Sequence, residues 1–174
     1  MESRAKLAGH SLHQQLVPLP IGLLVGSVAF DVAYLFSDDP RWGLIAFWLI
    51  VAGTIGALLA APFGTVDWLA IPKGTRAKRV GAVHGIGNLI VVVLFAVSAF
   101  GRREAPETPQ LLFQLISFAA ITLAGATAWM GGELVSRLGV GVTPGAHLDA
   151  PSSLSHPELS PAELRTQRTA ADYR

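Results

Sequence analysis

Residues 43–63 read GLIAFWLIVAGTIGALLAAPF and contain no charged side chain. An apolar run of about 20 residues is what a helix needs to cross ~30 Å of hydrocarbon. Residues 16–36, 82–100 and 111–132 have the same character. The four runs together hold one charge, Asp31, in a chain of 174 residues that carries 13 Lys and Arg and 12 Asp and Glu. Charges so strictly confined to the connections exclude a soluble globular domain. With flanking turns added, the spans read as 16–36, 43–66, 81–100 and 111–135. The expected fold is therefore all-α: an integral membrane four-helix bundle within residues 1–140.

The punctuation between spans supports this reading. Pro18 and Pro20 lie at the start of the first span, where proline is tolerated in a helix. The stop SDDPRW is short enough to predict a tight hairpin into the second span. Gly53, Gly56, Ala57, Ala60 and Gly64 make a small-residue stripe that lets another helix approach closely. Gly81 with Gly85, and Ala124, Ala128 with Gly132, repeat the device in the third and fourth spans. Residues 141–174 are rich in Pro, Ser, Thr and Ala and read as a flexible tail, with a helix start at Ser160–Pro161 predicting a short helix over 161–170.

Composition closes several functional classes. A net charge of +1 and the lack of long basic blocks exclude nucleic acid as a partner. Without cysteine there is no disulfide, no thiolate catalysis and no cysteine-ligated metal or cluster. The N-terminal MESRAKLAGHSLHQQ has no small-residue cleavage site behind it, so the first span is expected to remain in the mature protein. No nucleophile–base pair or hydrolytic motif is legible, and the glycines of GAVHGIGN do not follow a strand as a nucleotide loop requires.

Arg4, Lys6, Lys73, Arg76, Lys78, Arg79 and Arg137 flank one end of the spans, against Arg41, Arg102 and Arg103 at the other. This asymmetry predicts a multi-pass protein of the bacterial inner membrane with both termini cytoplasmic. Trp68 and Trp129 near one interface, and Trp42 and Trp48 near the other, are placed as interfacial aromatics.

That topology gathers the unusual polar residues at the cytoplasmic end. His10 and His13 precede the first span, Asp67 ends the second, His84 opens the third and Glu133 ends the fourth. Each hairpin thus has a histidine entering and a carboxylate leaving, a weak internal repeat consistent with two pseudo-symmetric hairpins. Two histidines on different helices suffice for both axial positions of a haem b. With His10, Asp67 and Glu133 they could instead hold a divalent metal, or the carboxylates could orient imidazoles. The alternatives are solvated histidines, a hydrogen bond from His84 within reach of Asn88, and interfacial ion pairs of Asp67 and Glu133 with nearby bases. Asp31 is a costly intramembrane acid that must face the bundle. Arg41, Arg102 or Arg103 could pair with it, or it could belong to a proton or ion path.

The stretches GHSLHQQLVPLPIGLLVGSVAFDVAYL, AAPFGTVDWLAIPKGTRAKRVGAVHGIGN and TAWMGGELVSRLGVGV, in this order, resemble the bacterial predicted membrane proteins grouped as domain-of-unknown-function family 2231. In that family the second histidine of the N-terminal motif is usually flanked by prolines, where this chain has Ser11 and Gln14. The resemblance implies a four-helix membrane domain over residues 8–142. Rieske-type iron–sulfur domains fused to some relatives imply electron transfer, although this chain, lacking cysteine, carries no such cluster. The favoured expectation is a small redox subunit with His13 and His84 as ligands, His10 as competitor, and Asp67, Glu133 and Asn88 in support. A conducting or transport module, and a structural subunit of a membrane complex, are the rivals. Expected partners are the lipid bilayer and a redox partner protein or a second copy of the chain.

Overall fold

A computed structural model describes residues 1–155. A two-stranded antiparallel hairpin, β1 (Lys6–Leu7) and β2 (His10–Ser11), leads into a one-turn helix, α1 (Leu12–Leu16). Four long helices follow: α2 (Pro18–Ser37), α3 (Pro40–Ala70), α4 (Arg76–Arg102) and α5 (Leu111–Ser136). All four are long and apolar enough to cross a bilayer, and each predicted span lies largely within one of them. The expected helix over 161–170 lies outside the described residues.

Local chemistry sets the boundaries. Pro18 and Pro20 lie in the first turn of α2, and the irregularity they impose separates α1 from α2 at Val17. The α2–α3 connection is two residues long: Asp38 takes the left-handed conformation at φ 53° to end α2. Asp39 then caps α3 by accepting from the Arg41 amide at 3.0 Å, with Pro40 in the first turn. Thr75 caps α4 by accepting from the Lys78 amide. Gly139, at φ 64°, closes α5 by donating to the Val135 carbonyl while Val140 donates to that of Leu134.

Packing builds two hairpins, α2 on α3 and α4 on α5, which join through α3 against α4 and α2 against α5. The small-residue stripe of α3 faces α2 and, at its far end, α1. A Cβ on Gly53 would come within 2.7 Å of Leu24, one on Gly56 within 3.5 Å of Pro20, and one on Gly64 within 2.8 Å of His13. On α5 the stripe differs from expectation. Gly132 has open space beside it, and the glycine approached by another helix is its neighbour Gly131.

The core of Leu24, Ile50, Val91, Phe95 and Ala120 lies at mid-bundle. Outside it the usual polarity is inverted: Leu59, Leu89, Leu112 and Trp129 are exposed, whereas Asp31, Arg102, Gln114, Ser98 and Ser117 are buried. A bundle that turns apolar side chains outward and polar ones inward has hydrocarbon, not water, as its solvent. This chain is a membrane protein.

Candidate functional site

His13 lies on α1, which packs on α3. Its imidazole occupies the notch left by Gly64, and Nδ1 meets the Ala60 carbonyl at 3.1 Å. His84, one-third of the way along α4, repeats this arrangement on α5. Its ring lies against Gly131, where a Cβ would be 3.2 Å from Cε1, and Nδ1 meets the Thr127 carbonyl at 2.8 Å. In each hairpin, therefore, an imidazole donates to a carbonyl on the facing helix and rests on the glycine one turn later.

A carbonyl can only accept, so both Nδ1 atoms carry the proton, and in the neutral ring Nε2 keeps its lone pair. For His84 the Asn88 amide donates to Nε2 at 3.1 Å, and Thr127 Oγ1 donates to Asn88 Oδ1 at 2.8 Å. Residue Val17 stands where Asn88 does, one turn after its histidine, and offers no such group. The repeat is thus clear in the histidine seats and broken in their surroundings.

The other expected members go elsewhere. His10 is exposed in the N-terminal hairpin, where Nδ1 donates to its own loop's Ala8 carbonyl at 3.0 Å. Asp67 is buried, and its carboxylate accepts from Ser3 Oγ at 2.7 and 2.8 Å and from the Arg4 amide at 2.7 Å. It is the anchor of residues 3–11 instead of a partner to an imidazole. Glu133 pairs with Arg76 at 2.7 Å. The Trp68 indole donates to the Lys78 carbonyl at 3.1 Å beneath the Lys78 ammonium. Trp129 is two-thirds exposed. Among the described residues no three His, Asp or Glu side chains converge on a point that an ion could occupy.

Toward the other end of the bundle Asp31 meets Arg102, and neither side chain is exposed. Arg102 also donates to the Phe113 carbonyl at 3.0 Å and to Ser117 Oγ at 3.1 Å. Buried Gln114, whose side-chain amide atoms have no partner among the described residues, follows Phe113 in the chain. Thr127, Gly131 and Gln114 were not singled out by sequence reasoning. A threonine and a glutamine inside apolar runs are the signals that could have drawn attention to two of them.

A family model described as "Predicted membrane protein (DUF2231)" matches residues 9–144. No curated protein and no solved structure matches the chain.

Proposed function

The chain belongs to the predicted membrane protein family DUF2231, and from that premise we propose that it is a small redox subunit in which His13 and His84 would hold a haem b. One observation carries the reading. Imidazoles from the two separate hairpins are seated alike, each with Nδ1–H held by a backbone carbonyl and Nε2 left as the basic nitrogen. Ligating histidines use this pattern, because the carbonyl fixes the ring plane and makes the far nitrogen a better donor to a metal. Two nitrogens suffice for a haem, whereas an ion held by protein alone asks for the three or more converging side chains not found among the described residues.

When bound, haem supplies one-electron transfer. The chain's own residues fix where it happens. Gly64 and Gly131 let the rings lie against helix backbone, and Asn88 positions His84 through its hydrogen bond to Nε2. The rival path starting at Asp31 loses its motive, since Arg102 holds that charge. Of the bases at the far end, Arg102 is buried in the bundle, which sharpens the Lys and Arg asymmetry and supports cytoplasmic termini in a bacterial inner membrane. A protein electron donor or acceptor is then expected at that end.

The test is the absorption spectrum of the purified protein, as isolated and after haemin titration. A reducible haem spectrum that His13→Ala and His84→Ala each abolish is the expected outcome. A colourless protein that takes up no haemin overturns the proposal.

A further inference from the structure

We propose that the end of the bundle formed by residues 1–4 and 70–73 binds the phosphate of an anionic lipid. A cavity of about 440 Å³ opens there, lined by Met1, Glu2, Ser3, Arg4, Ala70 and Pro72. Hydrogen bonds from Met1 to the Gly139 carbonyl and from the Gly141 amide to Met1 tie it to the end of α5.

The charges around this cavity do not cancel. Its acids are engaged: Glu2 by Lys6, Glu133 by Arg76, and Asp67 by Ser3 and backbone amides. Exposed Arg4 and Lys73 have no carboxylate partner among the described residues. Arg4 lines the cavity, and Lys73 follows Pro72 at its rim. The site lies where α3 ends and Trp68 stacks under Lys78, the depth of headgroups for a helix of this length. The adjoining surface is apolar, with Val66 and Leu69 exposed on the last turns of α3, so acyl chains have a wall to lie against. A phosphate on acyl chains fits both halves of this surface, whereas free phosphate uses only one.

The full chain is reconstituted in phosphatidylcholine vesicles with and without phosphatidylglycerol, and the lipids retained after extraction are identified by native mass spectrometry. Retention of phosphatidylglycerol over phosphatidylcholine is expected, falling about fivefold for each base removed in Arg4→Gln and Lys73→Gln. Lys73→Arg keeps the preference, as does Arg41→Gln at the opposite end. Equal retention of both lipids, or an unchanged preference in the Arg4→Gln/Lys73→Gln double variant, overturns the site. Inorganic phosphate that displaces the lipid completely overturns the lipid as its ligand, and failure to displace it supports the lipid.

Discussion

Asp31 and Arg102 form a two-pronged ion pair inside the bundle, Nη1 lying 2.6 Å from Oδ1 and Nη2 2.9 Å from Oδ2, with both side chains fully buried. Such a pair contributes little over apolar residues of the same size, but leaving either half alone costs about 3–5 kcal/mol. Asp31→Ala and Arg102→Ala are each expected to lower stability by that order. Asp31→Leu with Arg102→Met should cost much less than the two single losses together. Unfolding of the three variants in mild detergent measures this, and simple additivity would show that the two groups act independently.

The notch at Gly64 gives a second prediction. A Cβ there meets the His13 ring at 2.8 Å, whereas one at Gly131 meets His84 at 3.2 Å. Gly64→Ala should therefore cost about 1–3 kcal/mol through overpacking and displace His13, with Gly131→Ala the milder of the two. Thermal unfolding and haemin affinity of both variants report it. Equal behaviour would mean that the seats are interchangeable.

Asp67 holds the N-terminal segment through Ser3, Arg4 and, at 3.4 Å, Ser11. Hydrogen bonds to a charged acceptor contribute about 1.5–3 kcal/mol each, so Asp67→Ala should free residues 1–11 while the long helices persist. Limited proteolysis near Arg4 and Lys6 is expected to quicken at least tenfold with helical content unchanged. Unaltered cleavage would show that the hairpin is held by something else.

At the other end, hydrogen bonding to the Arg41 side chain and amide holds the Asp39 carboxyl below its ordinary range. A group depressed on folding contributes stability above its unfolded pKa and loses it as pH falls through the folded value. The start of α3 should therefore be firm at neutral pH and fray in acid. Amide exchange at Arg41, followed downward in pH, should rise in the wild type relative to Asp39→Asn, which keeps an uncharged cap.

Much of the fold was legible because hydrocarbon imposes a coarse rule: long uncharged runs must be helices, and four were visible. Finer decisions depended on geometry. That Arg102, and not Arg41 or Arg103, answers Asp31 follows from the position of the last turn of α4 in the bundle. The hairpin at residues 6–11 turns on Ala8 at φ 51° beside Gly9, and alanine gives no hint of such a turn. Because Ser3 and Arg4, just before that hairpin, claim Asp67 and the hairpin exposes His10, the expected five-residue cluster separates, and its two most symmetric histidines remain. Spacing alone made Asp67 and Glu133 equivalents. The histidine seats, measured from Gly64 and Gly131, put them one residue out of step.

The two halves of the Asp31–Arg102 pair stand 71 residues apart, one in each hairpin. A chain threaded into the bilayer from its N-terminus places the acid first and completes α4, with its base, long afterwards. Through that interval the first hairpin is a guest the membrane holds poorly, with a strong reason to recruit the second. Biogenesis thus has a direction written into it: the later-made half completes the earlier one, and a nascent chain arrested before Arg102 should be the form that quality-control proteases clear.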